Sequence, residues 1–499
     1  MSVILTFFMW NGNSCIQSIH WVTMSVQEKP MLLNGEVDNT KDQPESRLYK
    51  RRWIIIFVFS FYLSSNAFQW LSLNIIGDVI LTFYNASLPE DELKRDMSLD
   101  WLSLIYMLTY VTLIFPSMWF LQKKGLRVST LCGAFLNAIG AWIKVASVNS
   151  DRFGVLMFGQ TMCAIAQVFT LSLPARIAAV WFGPNEVSTA TAIGIFGIQI
   201  GNAVGFLLPP IVVPYTKDIT YIGHNLSLMF YISAAVTTLC FILLIIVFRE
   251  SPPLPPSKAQ KKVLDLTKKQ VHYGKSLLNF VKNRDFCLVC VSFAMNLGCS
   301  YAISTLLNPI ILFYFKSHQK DAGFIGLTII LSGVFGSILS GLWLDRTKTF
   351  KGTTIGIYLI SCIGMVVYTF ILKLHRLWLV YVFAGFLGFF LTGYRPVGFQ
   401  LAAEVTYPEC EGTSSGLLNL AAEIIGIVST IGMRALMTNV SIFAANATVC
   451  AALLVGTVLS AFIRPNYKRQ AAGKEMHSKM KVEIDVEIDE KSKLNLDKT

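Results

Sequence analysis

The sequence predicts an all-α membrane protein of twelve transmembrane helices, built as two six-helix bundles with both termini cytoplasmic. Three observations predict it. Of 499 residues, 54% are hydrophobic and only 14% are charged, against about 25% charged in soluble domains. The apolar residues gather into runs long enough to cross a bilayer, which takes about 20 residues. A long basic segment then divides those runs six and six. The composition excludes a large soluble enzyme and a nucleic-acid-binding chain. The net charge of +12 needs no anionic partner, because Lys and Arg collect in the cytoplasmic loops of membrane proteins.

Residues 1–50 form an N-terminal tail. Met1 to Trp10 is apolar but lacks a basic leader, which argues against a secretory signal. Met24 opens a polar, acidic stretch and is an alternative start. Spans one to six lie near 53–77, 101–121, 128–148, 154–180, 189–214 and 226–248 and make the first bundle, 51–248. A linker, 249–284, carries nine basic residues from Arg249 to Arg284 and the prolines Pro252, Pro253, Pro255 and Pro256. Spans seven to twelve lie near 286–314, 322–344, 353–373, 377–400, 412–437 and 440–463 and make the second bundle, 285–464. Residues 465–499 form a tail of alternating acids and bases.

Charge fixes the expected orientation. Arg47, Lys50, Arg51 and Arg52 precede span one, and Arg464, Lys468 and Arg469 follow span twelve, so both ends and the linker belong on the cytoplasmic side. Sequons at Asn85, Asn225 and Asn439 fall in loops that this rule places outside, where glycosylation occurs. A further sequon, at Asn446, lies inside the last span. A secretory-route membrane follows, most simply the plasma membrane. Most of the ten cysteines lie within apolar runs, where they act as small hydrophobes. The Cys287/Cys290 pair has no ligand cluster near it, so no metal or cofactor is expected.

Gly341-Leu-Trp-Leu-Asp345-Arg346 after span eight resembles the G-x-x-x-D-[RK] signature of the major facilitator superfamily. Its Asp345 and Arg346 are the expected gating residues, since such an acid caps a helix and pairs with Arg when that side closes. After span two the corresponding stretch has Gln122 at the acid position and keeps Gly125. Span five carries Gly197, Gly201 and Gly205, and span eight carries Gly326, Gly333 and Gly336. Small residues on one stripe let helices approach closely. Facilitators pair these two spans across the bundles, so both stripes are expected at a rocking interface.

Longer strings carry a closer resemblance. They include Ser65-Asn-Ala-Phe-Gln-Trp70, Ala166-Gln-Val-Phe169, Trp181-Phe-Gly-Pro-Asn-Glu-Val-Ser-Thr189, Tyr301-Ala-Ile-Ser-Thr-Leu-Leu-Asn308 and Glu411-Gly-Thr-Ser-Ser-Gly-Leu-Leu-Asn419. Together they resemble the feline leukaemia virus subgroup C receptor-related family of facilitators, from span one to span eleven. The resemblance implies transport of choline, and in some members ethanolamine, by alternating access; haem export is also attributed to the family. It implies a site made of Trp70, Tyr301 and Gln167, with Gln199 preceded by Ile198 where the family has Asn, and Glu423 where the family has Gln.

The chemistry fits that implication. A quaternary ammonium has no N–H to donate and is held by aromatic faces. Gln167 and Gln199 are costly in lipid unless paired, so a polar chamber suits them. Asn66, Gln69 and Asn296 are further polar residues that either line the chamber or join helices. Glu423 lies near mid-membrane, where a carboxylate is functional by default. It has three readings: countercharge to a cationic substrate, proton carrier, or partner of Arg395 or Arg434. No G-x-x-x-x-G-K-[ST] is present, so ATP drive within the chain is not expected. The function expected is facilitative transport of choline or a related organic cation by a monomer, with no enzyme activity. The alternatives are haem export, proton-coupled transport of another solute, or a non-transporting surface receptor.

Overall fold

A computed structural model describes residues 48–464, except 172, 184–185, 255, 257–279, 281, 317, 348 and 407–410. The tails and most of the expected linker, with Met24 and the apolar start, lie outside the described residues. Among those described, twelve helices are long and apolar enough to span a membrane. They are α1 (Arg51–Phe83), α2 (Glu92–Leu121), α3 (Lys123–Ala146), α4 (Phe153–Thr170), α5 (Thr189–Val212), α6 (Ile219–Val247), α7 (Arg284–Thr305), α8 (Gln319–Leu344), α9 (Phe350–Lys373), α10 (Leu377–Thr406), α11 (Ser414–Asn439) and α12 (Ile442–Ala461). Each overlaps one of the twelve apolar runs. Large apolar side chains stand exposed around them, such as Ile246, Phe335, Trp343, Trp378 and Val428. Hydrocarbon, not water, is the solvent such a surface fits.

One face of the molecule carries the loops after α1, α3, α5, α7, α9 and α11; it is called here the loop face. The opposite, linker face carries the start of α1 and the ends of α2, α6 and α8. At the linker face α2 turns sharply into α3 at Gly125, whose φ of 87° is a conformation that L side chains rarely adopt. The Glu250 carboxylate accepts from the N–H groups of Leu126 and Arg127, both at 2.7 Å. It thereby caps α3, whose first N–H groups have no partner within the helix.

The glycine stripes serve a different purpose from the one their spacing suggests. A Cβ at Gly197 or Gly201 would strike the carbonyls of Ser60 or Ser64, and Gly205 abuts Phe68. The α5 stripe therefore packs on α1, inside the first bundle. Ser60 and Ser64 staple the contact, donating to Ile193 O at 2.9 Å and Gly197 O at 2.6 Å. In the second bundle Gly333 and Gly336 meet Thr392 and Phe389 of α10. Gly326, together with Gly323, does cross between bundles, against Phe206 of α5. The expected α5–α8 interface is thus real at the loop face, but of the six anticipated glycines only Gly326, on α8, takes part. Backbone-to-backbone approach holds each bundle rigid, while a phenylalanine ring fills the contact between them.

The cores repeat this asymmetry. One buried cluster joins both bundles at the loop face, running from Ile75, Val79 and Leu99 through Phe206 to Leu307 and Ile311. A second, around Ile56, Phe59, Ile177 and Phe182, belongs to the linker end of the first bundle alone.

Candidate substrate chamber

The helical part of α1 ends at Leu71 and resumes after a 3-10 turn, Asn74–Ile76. Such a break frees backbone groups that lipid cannot satisfy. Side chains of α2 and α4 satisfy them. Gln160 Nε2 donates to Gln69 O and Leu102 O, both at 2.9 Å. The Ser103 hydroxyl reaches Trp70 O at 3.4 Å and also donates to the side-chain Oδ1 of Asn74 at 2.8 Å. This fixes Trp70 at the break. In the second bundle, α7 ends at Thr305 and a short helix, Leu307–Tyr314, follows. Tyr301 lies in the last turns of α7.

Trp70 and Tyr301 meet edge to face, with ring centroids 5.5 Å apart and an interplanar angle of 86°. Two rings from different bundles thus share one wall. Gly426 of α11 lies beside Tyr301 and Met107, where a Cβ would come within 3.2 Å of the tyrosine ring. Glu423, three residues earlier and so on the same helix face, is only 6% exposed. Its electrostatic neighbours are Tyr110, Tyr301 and Arg395. The Arg395 guanidinium stands over the Tyr301 ring, 5.7 Å from its centroid. No ion pair within 4.0 Å joins Glu423 to Arg395 among the described residues. Arg434 is not a partner of Glu423; it pairs elsewhere.

The remaining expected residues divide into two groups. Gln167 is half-buried on α4, and its Oε1 has no hydrogen-bond partner; the same is true of Trp70 Nε1. Gln199 is half-buried on α5. Gln167 Oε1 and Trp70 Nε1 therefore do not hydrogen-bond to each other. Asn66 and Gln69, by contrast, are committed within the first bundle. Both donate to Asn137 Oδ1, at 2.9 and 3.0 Å. Gln69 Oε1 accepts from Lys144 Nζ at 2.9 Å. Asn296 is fully buried in α7 with both amide atoms unpartnered. Arg346 is exposed at the linker end of α8, and the Asp345 side chain lies outside those described. The histidines described, His224, His318 and His375, are all exposed. Of the sequons, Asn85 and Asn439 are exposed. Asn225 is a correction: it sits inside α6, 8% exposed, so the folded chain does not present its amide for modification.

Sequence reasoning missed the closure of the loop face. Arg434 of α11 donates to both carboxylate oxygens of Asp100 in α2, at 2.6 and 2.7 Å, and to Asp96 at 3.3 Å. Asn308 donates to Ile75 O at 2.6 Å, and Gln319 donates to Asp78 at 3.0 Å while accepting from Tyr215 N–H at 2.9 Å. Each of these joins the two bundles. The polar bonds described at the linker face stay within one bundle: Arg52 with Glu186, Glu250 with α3, and Asn283 with Val405 O. Asp96 and Arg434 were visible as charges, but only the fold pairs them. Lys144 and Asn137 carried no signal beyond being polar within an apolar run.

Comparison with known proteins agrees with this architecture. The profile of the Major Facilitator Superfamily matches residues 54–430 and 289–486. The choline/ethanolamine transporter flvcr2b of Danio rerio is 47% identical over 432 residues, covering 87% of this chain and 87% of its own. The choline/ethanolamine transporters FLVCR2 of Homo sapiens and FLVCR1 of Felis catus are 45% and 46% identical, covering 86% and 85% of this chain and 80% and 75% of theirs. Among solved structures, a bacterial homologue of the human lysosomal transporter Spinster, in an inward-facing and occupied conformation, superposes with a TM-score of 0.65. It is 13% identical and covers 85% of this chain and 99% of its own. A D-xylose–proton symporter also gives a TM-score of 0.65 at 13% identity, covering 83% and 97%. The chain belongs to the major facilitator superfamily and, within it, to the feline leukaemia virus subgroup C receptor-related family.

Proposed function

We propose that this transporter carries choline or a closely related organic cation across the membrane by alternating access, down its electrochemical gradient. The observation that carries the reading is the Trp70–Tyr301 pair, contributed by one helix of each bundle and meeting edge to face beside a buried carboxylate. Aromatic faces contribute about 0.5–2 kcal/mol per contact to a desolvated cation, and Glu423 supplies the opposite charge. Because the rings belong to different bundles, rocking one bundle on the other makes and breaks the cage. The conformation described is then the one closed at the loop face, by Arg434 with Asp100 and Asp96. Gln167 and Gln199 would receive the substrate hydroxyl as the chamber closes around it, and the unpartnered amide of Asn296 in α7 is a further candidate.

With both termini on the cytoplasmic side, the closed face is the exterior, and Asn85 and Asn439 are its glycosylation sites. Asp345 and Arg346 would close the cytoplasmic face in the alternate state. A plasma-membrane monomer fits this arrangement. The membrane potential, about 2.3 kcal/mol per charge per 100 mV, would favour inward movement of a cation. Labelled choline uptake by cells expressing the chain tests the reading. Uptake that saturates, and whose half-saturating concentration rises in Trp70→Ala, is expected. Uptake no greater than in control cells would leave the surface-receptor alternative.

A further inference from the structure

Two opposite charges flank the same ring. Arg395 stands over the face of Tyr301 at 5.7 Å, and Glu423 acts electrostatically on both Tyr301 and Arg395. Yet the two charges do not close into an ion pair within 4.0 Å. The same molecule shows what closure looks like: Arg434 meets Asp100 through two bonds of 2.6 and 2.7 Å. Had Arg395 served only to neutralise Glu423, the same fork geometry would suit it. Instead its Nε is buried without a hydrogen-bond partner, as are Trp70 Nε1 and Gln167 Oε1. Buried polar atoms of this kind are normally satisfied.

A simple cation uses only part of this wall. It gains from Glu423 and the rings, but Arg395 shares the Tyr301 face and repels it. A dipolar ion turns that repulsion into attraction. Its ammonium group lies toward the rings and Glu423, and its carboxylate lies toward the guanidinium, whose planar fork matches a carboxylate.

We propose that the chamber also accepts zwitterionic quaternary ammonium compounds, in which a carboxylate lies a few bonds from the fixed cation, and that Arg395 is the residue that selects them. The proposal rests on the transport reading above and narrows its substrate class. It assigns opposite roles to two residues of one wall: Glu423 reads the cation and Arg395 reads the anion.

The test is a parallel uptake measurement with labelled choline, glycine betaine and carnitine, in cells expressing the unsubstituted chain, Trp70→Ala, Arg395→Leu or Arg395→Lys. Surface abundance of each variant is measured alongside. Saturable uptake of at least one zwitterion by the unsubstituted chain, with a higher half-saturating concentration in Trp70→Ala, is expected. Arg395→Leu should lower the zwitterion-to-choline preference at least tenfold, and Arg395→Lys should restore part of it. Absence of saturable zwitterion uptake, or a preference unchanged by Arg395→Leu, overturns the proposal. If choline uptake survives while zwitterion uptake is absent, only this inference fails; if both are absent, the transport reading fails with it. Should Arg395→Leu not reach the surface, competition of each zwitterion against labelled choline in the unsubstituted chain decides, and no competition overturns the proposal.

Discussion

Arg434 and Asp100 belong to different bundles, yet they form a buried two-bond fork of 2.6 and 2.7 Å with exposures of 4% and 2%. Removing one partner of such a buried pair leaves an uncompensated charge, at a cost of about 3–5 kcal/mol. Opening the loop face would hydrate the orphan and relieve that cost. Arg434→Ala therefore shifts the population toward the state open at the loop face. Thr430 is fully buried on α11, one turn from Arg434, and Thr430→Cys provides a reporter. A membrane-impermeant thiol reagent added from the loop side should label it several-fold faster in the Arg434→Ala background than alone. Equal rates would mean that the clasp does not hold this face shut.

Trp70 makes a different kind of prediction, because on the proposed reading its ring faces the substrate. Its indole N–H holds nothing in place, and its ring is only partly buried. Trp70→Ala removes one wall of the cage, about 0.5–2 kcal/mol of cation–π attraction, which raises the half-saturating choline concentration by about 2- to 30-fold. Trp70→Phe keeps a face and should lie between. Concentration-dependent uptake, normalised to surface abundance, measures it. A fall in maximal rate with an unchanged half-saturating concentration would place Trp70 outside the site.

These two cases mark what the sequence could and could not convey. The twelve runs were legible because lipid imposes one rule, about 20 apolar residues per helix, and every span obeys it. Trp70 and Tyr301 were legible as a pair because each opens its bundle, and the structure brings their rings together. The glycine stripes show the limit. Their spacing announces a close contact, but 3.6-residue periodicity does not name the partner, and Gly197 and Gly201 face α1 rather than α8. Arg434 was legible as a charge near α11's end. Glu423 lies on the same helix, about 16 Å away by helix rise alone, and the pairing with Asp100 depends on how the bundles meet, which no local pattern records. Asn66 and Gln69 were ambiguous for a similar reason: an amide in a membrane helix reads alike whether it faces substrate or another helix.

The network around those amides yields a prediction of its own. Asn137 Oδ1 accepts from both Asn66 and Gln69, and Asn137 Nδ2 donates to Ser65 at 3.2 Å. Asn137→Leu removes the shared acceptor from two buried donors, at about 1–3 kcal/mol each. Lys144→Met removes the donor to Gln69 Oε1 but also a buried ammonium whose one described partner is that amide. Desolvation of an ammonium is expensive, so its replacement by an apolar chain of similar length offsets much of the lost bond. Asn137→Leu is therefore expected to lower the thermal midpoint of the detergent-solubilised protein by several degrees, and Lys144→Met by less. The reverse order would show that Lys144, not Asn137, anchors the network.

Gly125 and Glu250 lock the turn between α2 and α3, and each can be tested against the other. The φ of 87° and ψ of 177° at Gly125 cost about 1–3 kcal/mol for a residue with a Cβ, and an added Cβ would also press on the Glu250 carboxylate, 2.5 Å away. Glu250→Gln keeps the shape but weakens the two bonds to Leu126 and Arg127 N–H, a loss on the scale of a helix cap, about 0.5–2 kcal/mol. If the two residues act through one capped turn, the effects overlap. Gly125→Ala displaces the carboxylate that Glu250→Gln has already weakened, so the double variant should be less destabilised than the sum of the singles. Thermal midpoints of the four proteins close the cycle. Strict additivity would mean that the backbone conformation at Gly125 persists without the Glu250 cap, and that the two features stabilise the turn independently.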